Sequence, residues 1–196
     1  MSVTSPKRPR GAGKDYPLSV IILAAGIGKR TTNYGPKSLI ELRQGQTVLD
    51  YQLKVIKDIL PLTDVTVVTG FEAAKFNRYH PTVKLVENER YETTNVVRSL
   101  GLGLKVTNTS AALIIHGDCL FNPELILSIT DGPSSVPIVS NFLIDKNVGI
   151  NILDGKAAHF YYGLPTKWAQ IAYLIGTELE MIKQYGYCNG IENYSR

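Results

Sequence analysis

The sequence predicts an α/β fold in which a mostly parallel sheet carries helices on its faces. Three observations lead there. Short apolar runs rich in β-branched residues alternate along the chain with longer stretches of helical periodicity. The first such run ends on two closely spaced glycines, Gly26 and Gly28, which let the backbone bend close to a ligand. A length of 196 residues suits one well-cored domain and is short for two.

In chain order, residues 18–23 read as the first buried strand. A helix follows over 47–60: Leu49, Leu53, Ile56 and Leu60 recur at helical spacing, Thr47 caps the start and Pro61 closes the end. Residues 65–69 and 83–86 read as strands, with a helix over 71–79 between them. Residues 87–95 are too polar for a core and lead into a helix whose apolar face is Val96, Val97, Leu100 and Leu104. One reading of Thr94 is as the cap of that helix, with Asn95 beginning it. Residues 111–118 form a buried strand that ends on an acid, Asp118, read from position alone as either a turn cap or a metal ligand. A helix over 123–128 precedes short strands at 137–141, 149–153 and 157–162, and Asp154-Gly155 marks a hairpin between the last two. Leu179, Met181 and Ile182 among Glu178, Glu180 and Lys183 give an amphipathic helix over 177–185.

The stretch from Val20 to Arg30, followed by Pro36-Lys37-Ser38-Leu39, carries the chemistry. Bare N–H groups around Gly26 and Gly28 are suited to phosphate, and Arg30 and Lys37 add positive charge on either flank. A dinucleotide fingerprint fails because Thr31 stands where the third Gly or Ala belongs. A Walker loop fails because Leu23 occupies its first glycine position and Lys29 is followed by Arg30. An ordinary glycine turn with two solvated cations is the plain alternative, and it leaves the Pro36-Lys37 pair unexplained.

The string LAAGIGKR…GPKSLIEL resembles the opening signature of the nucleotidyltransferases that join a nucleoside triphosphate to a phosphorylated sugar or alcohol: LAAG, x, G, x, R, a variable gap, then PK. The resemblance runs from about Leu18 to about Tyr187. It implies a Rossmann-like three-layer sandwich with a mostly parallel, mixed sheet, the GT-A-like fold of that family. It also implies Mg²⁺-dependent transfer of a nucleotidyl group with release of pyrophosphate. Residue by residue, it implies that Leu23, Ala24, Ala25, Gly26 and Gly28 seat the nucleotide, that Arg30 holds the β/γ end, and that Lys37 holds the α-phosphate or the acceptor. Asn88, Tyr91, Thr94, Asn95 and Ser99 match the pattern that borders base and ribose in choline-phosphate and sugar-phosphate members. Gly117-Asp118 falls in register with the family's strand-end aspartate, making Asp118 the expected Mg²⁺ ligand. Members commonly continue into a segment with a second metal-binding Asp; here that end is expected to be lacking, with only Glu192 or Asn193 available as substitutes.

Beside the resemblance, Lys167 is a cation within an aromatic stretch, suited to neutralising an acceptor phosphate. Tyr161, Tyr162 or Trp168 would wall the acceptor's organic part, a quaternary ammonium included, although packing is the plainer role for aromatics. His116 reads as a strand residue rather than a base, since an attacking phosphate oxygen is already anionic.

The net charge is +4, of which residues 1–15 hold +3 through Lys7, Arg8, Arg10 and Lys14 against Asp15, so the remainder carries +1. Residues 1–16 are therefore expected to be a disordered basic tail and 17–196 a single domain. No aromatic residues interleave the basic ones, which disfavours nucleic acid as a partner. Two separated cysteines, Cys119 and Cys188, suggest neither a disulfide framework nor zinc and point to the cytoplasm. No apolar run approaches the roughly 20 residues of a membrane span. The expected partners are an NTP and a phosphorylated small-molecule acceptor, with homo-oligomerisation open. Two rivals stand beside transfer: a nucleotide-binding domain with little turnover, favoured by the missing second carboxylate, and a nicotinamide-dependent oxidoreductase, weakened by Thr31.

Overall fold

The computed structural model describes residues 17–28, 34–139 and 148–189, the side chains of 187–189 excepted. The expected tail, Arg30, Thr31, the end of the strand expected over 137–141, and Glu192 and Asn193 lie outside the described residues.

The central sheet is built from β1 (Leu18–Leu23), β4 (Asp64–Thr69), β5 (Lys84–Glu87), β6 (Ala111–His116) and β11 (Ile171–Ile175), in the order β11-β6-β1-β4-β5. The four strands from β6 to β5 are parallel and β11 runs antiparallel to β6, Ile171 opposite Ile115 and Ile175 opposite Ala111. The sheet is thus mostly parallel and mixed. β11 was not expected as a strand. Its five-residue apolar run is too short for periodicity to separate it from the helix that follows, and Gly176 is the one turn cue between them.

Each of the strands β1 and β6 is buried on both faces, so it reads as a continuous apolar run rather than an alternation. The sheet's side chains are nonetheless sorted between two cores. Val20, Ile22, Val67, Leu113 and Ile115 pack against Leu49 and Ile56 of α1 (Val48–Ile59), Ile126 of α3 (Pro123–Thr130) and Phe76 of a 3₁₀ helix (Ala73–Tyr79). Ile21, Leu23, Val68, Ala112 and Ile114 pack on the other side against Leu104 of α2 (Val96–Lys105) and Leu179 of α4 (Gly176–Asn189). Helices on both faces make three layers.

A smaller sheet of β7 (Ile138–Val139), β10 (Lys167–Trp168), β8 (Val148–Leu153) and β9 (Lys156–Tyr162) stands beside the large one. Asp154 and Gly155 join β8 to β9 with positive φ at both residues, the geometry of a tight hairpin turn. A two-stranded ribbon, β2 (Glu41–Arg43) and β3 (Gln46–Thr47), precedes α1.

Three local expectations are corrected. Residues 73–79 are a 3₁₀ helix rather than an α-helix. Asn95, not Thr94, caps α2: its side chain accepts from the N–H groups of Val97 and Arg98 at 3.0 and 3.3 Å. Thr94 instead donates to the Arg90 carbonyl and accepts from Asn88. Val96 is 43% exposed and does not belong to the buried face of α2, which carries Ser99, Gly103 and Leu104. It is the first residue after the cap, where the helix has not yet turned onto the sheet.

Candidate active site

After β1 the chain adds β4 and β5 on one side, then crosses back to place β6 on the other side of β1. Strand order reverses there, and open parallel sheets collect ligands in the crevice outside the strands' carboxyl ends at such a point. A cleft lies at that place. Its floor and one wall are Leu23, Ala24, Ala25, Gly26 and Gly28, leaving β1, and its other walls come from Lys37–Ser38, from Tyr91, Thr94, Asn95, Val96 and Ser99, and from His116–Asp118 at the end of β6.

The loop after β1 is tied down before it opens. The Ala24 N–H donates to the Val68 carbonyl at 2.8 Å, and the Phe71 N–H donates to the Ala25 carbonyl at 3.1 Å. Beyond that point a Cβ built on Gly26 meets no atom within 4 Å, so the cleft lies open beside it. Gly28 has φ of +63°, a left-handed conformation that favours glycine.

Lys37 stands at the start of a 3₁₀ turn (Lys37–Leu39) that follows Pro36, and Asp118 stands two residues past β6. Lys37 Nζ and Asp118 Oδ2 are 2.9 Å apart, with about 31% of each side chain exposed. Gly117 permits this approach. Its N–H donates to the Leu23 carbonyl at 2.8 Å, and a Cβ there would lie 3.1 Å from Ala24 Cβ and 3.2 Å from Ser38 Cβ.

Of the described residues expected to contact nucleotide, Asn88 is the one outside the lining. It lies 2% exposed behind the wall, its amide donating to Thr94 Oγ1 at 3.0 Å and Ser99 Oγ at 3.1 Å, while its oxygen accepts from the Arg90 N–H. Asn88 therefore braces two lining side chains. Tyr91 lines the same end and packs its ring against Phe71.

His116 also borders the cleft. Burial holds its imidazole below the ordinary value of 6.5; Asp118 opposes that shift and Lys37 adds to it. The ring is neutral at pH 7. Burial and then the Asp118 charge push the Cys119 thiol up to about 12, so it is no nucleophile at neutral pH.

The residues expected at the acceptor are not among those lining the cleft. Tyr162 is 72% exposed on β9. Trp168 meets His116 edge-on at 5.1 Å and Phe160 at 5.7 Å, and its indole N–H donates to the Ile171 carbonyl. It bridges the small sheet to the end of β6, one layer behind the cleft. Lys167 on β10 is half-buried, and its charge is felt at Cys119, next to Asp118. Ser38 and Val96 line the cleft without having been singled out. Ser38 lay inside the Pro36–Leu39 motif and Val96 directly after the polar loop, so both were adjacent to a signal.

A scan of family models matches residues 20–139 to the MobA-like NTP transferase domain. A model of the UvrB third helical domain matches residues 173–196, which here include most of β11 and α4. Comparison with curated proteins finds no matching sequence. Among solved structures, a CTP:phosphocholine cytidylyltransferase from Streptococcus pneumoniae shares 21% identity with a TM-score of 0.69, over 91% of this chain and 82% of that one. An inositol-1-phosphate CTP transferase from T. maritima shares 17% with a TM-score of 0.68, over 92% and 78%. A putative glucose-1-phosphate thymidylyltransferase from Bacillus anthracis shares 15% with a TM-score of 0.66, over 89% and 84%. At these identities the likeness is one of fold.

Proposed function

The chain belongs to the MobA-like NTP transferase domain family and is a nucleotidyltransferase; from that premise we propose that it transfers an NMP group from an NTP to a phosphorylated sugar or phosphocholine-like acceptor in a Mg²⁺-dependent reaction. The observation that carries the proposal is the pairing of Lys37 with Asp118 across a cleft at the strand-order reversal, beside the open Gly26 loop.

The donor set was weighed against Mg²⁺. One Asp118 oxygen is engaged by Lys37, and among the described residues no group of three His, Cys, Asp or Glu side chains gathers to hold a metal. A one-carboxylate site still fits Mg²⁺, which keeps several waters and is completed by substrate phosphates. Asp118 would hold it, and the bound ion would offset triphosphate charge. The chain's own groups do the rest. The backbone from Ala24 to Gly28 admits the phosphates, and Lys37 offsets charge on the α-phosphate or the acceptor. An anionic acceptor oxygen bonds to the α-phosphorus, the bond to the β-phosphate oxygen breaks, and pyrophosphate leaves with that electron pair. No proton moves, which accords with the neutral, buried His116.

Tyr91, Thr94, Asn95 and Ser99, braced by Asn88, form the proposed base and ribose wall. Lys167 with Trp168 and Tyr162 forms the proposed acceptor side, and the cytoplasmic setting expected from the cysteines is part of the same proposal. Asp118 is the one carboxylate among the described residues that line the cleft, which favours a second reading, nucleotide binding with little turnover. A matrix of four NTPs against sugar 1-phosphates, phosphocholine and aminoalkylphosphonates, read as pyrophosphate release, tests the proposal. Release in one NTP and acceptor combination is expected; tight NTP binding without release in any combination favours the second reading.

A further inference from the structure

Gln52 lies in the middle of α1 and is fully buried, at 0% exposure, which is unusual for an amide on a packing helix. Its Nε2 donates to the His116 carbonyl at 2.9 Å and to the Cys119 carbonyl at 2.8 Å. These two carbonyls bracket Gly117-Asp118. An amide has two N–H groups, and both are committed to the turn that carries the carboxylate. The preceding residue reinforces the attachment: the Tyr51 hydroxyl donates to the Phe121 carbonyl at 2.7 Å, and its ring meets Phe121 edge-on at 6.1 Å. The side of the turn away from α1 is held by the Gly117 N–H on Leu23 and the His116 N–H on Gln170. The turn is therefore fixed from two sides, and α1 supplies one of them.

We infer that Gln52 is a positioning residue for Asp118: its two hydrogen bonds set the turn from which the carboxylate meets Lys37 and the metal-bound nucleotide. Carbonyls at the end of a strand need partners, but satisfying them does not require a buried side chain reaching from another element to both ends of one turn. The consequence is specific. Loss of the amide leaves the two carbonyls without their donor, so the turn shifts, and the Asp118 carboxylate is the functional group that the turn carries.

Gln52→Met keeps the length and bulk of the side chain and removes both donors. The variant is expected to fold and to keep its metal-free affinity for NTP within about threefold, because the nucleotide wall is not attached to Gln52. Its kcat, and its affinity for Mn²⁺ in the presence of NTP measured by electron paramagnetic resonance, are each expected to fall about tenfold to a hundredfold, the loss typical when a group orienting a metal-binding carboxylate is removed. If the Met variant does not fold, Gln52→Asn, which keeps the amide one methylene short of the turn, goes through the same assays with the same expectation. A folded variant with wild-type Mn²⁺ affinity and kcat overturns the inference, as does a loss shared equally by metal-free NTP affinity and Mn²⁺ affinity. The inference rests on the proposed role of Asp118, so Asp118→Ala is measured beside it. Mn²⁺ binding indifferent to Asp118→Ala overturns the proposed metal site itself. Binding sensitive to Asp118→Ala but not to Gln52→Met overturns the role of Gln52 alone.

Discussion

At the scale of single residues, Lys37 and Asp118 are charges held in place without much return in stability. A pair this exposed contributes at most about 1 kcal/mol, and the positions are spent instead on a cation and an anion facing one cleft. Lys37→Ala is expected to lower transfer about a hundredfold, on the order of 2 to 3 kcal/mol, while leaving the urea unfolding midpoint unchanged. Wild-type turnover in that variant removes Lys37 from the site. Lys167 on β10 is half-buried, with its charge felt at Cys119 beside Asp118. Lys167→Ala is expected to raise the KM for the acceptor more than the KM for NTP in steady-state assays; equal effects place Lys167 outside the acceptor site. The two partners of the central pair stand 81 residues apart in sequence. That both belong to one site was legible, Lys37 through the signature motif and Asp118 through its strand-end position, whereas their direct pairing was not. The bracing role of Asn88 was not, since whether a polar side chain faces a ligand or a neighbour depends on which hydrogen bonds the loop completes.

At the scale of elements, the caps and helix contacts decide how firmly the walls stand. Thr47 and Asp50 form a reciprocal capping box at the start of α1, and Arg78 approaches Asp50 at 3.6 Å from the 3₁₀ helix. Burial raises the Asp50 pKa, yet hydrogen bonds from Thr47 and Tyr79 and the charge of Arg78 outweigh it, holding the carboxyl below its ordinary value of 3.8. As pH falls the unfolded chain takes up that proton first. The Asp50 contribution is therefore present above pH 3.8 and lost as pH falls through the folded-state value. Asp50→Asn is expected to flatten this part of the acid limb in urea unfolding followed from pH 7 to pH 3; an unaltered limb contradicts the box's charge linkage. On the other face, α2 and α4 meet at Gly101 and Gly186, where a Cβ on Gly101 would sit 2.7 Å from the Gly186 carbonyl oxygen. Ala improves helix propensity by about 1 kcal/mol, but a carbonyl oxygen in a packed backbone cannot give way as a side-chain tip does. Gly101→Ala is thus expected to destabilise by about 1 to 3 kcal/mol, read as a lower unfolding midpoint. The helices α1 and α2 were legible from their apolar spacing. The choice of Asn95 over Thr94 as cap was not, because both residue types cap well and the buried Asn88 amide takes Thr94.

At the scale of the whole molecule, the alternation of strands and helices foretold the parallel sheet, and the order of its strands locates the cleft. The β8–β9 hairpin was foreseen from Asp154-Gly155, but the antiparallel β11 and the two-residue β10 were not, because strands that short give periodicity little to act on. No helix among the described residues is long and apolar enough to cross a membrane. In the proposed function three remote segments act in one event: the loop after β1, the turn after Pro36 and the turn after β6 would hold a metal-bound triphosphate together. That event is tested most directly by calorimetry of NTP binding to the whole chain, with and without Mg²⁺, in wild type and Asp118→Ala, because it requires no knowledge of the acceptor. One NTP is expected to bind the wild-type chain in a Mg²⁺-dependent manner and to lose that dependence and most of its affinity in Asp118→Ala; binding of that NTP indifferent to both Mg²⁺ and Asp118 contradicts the account.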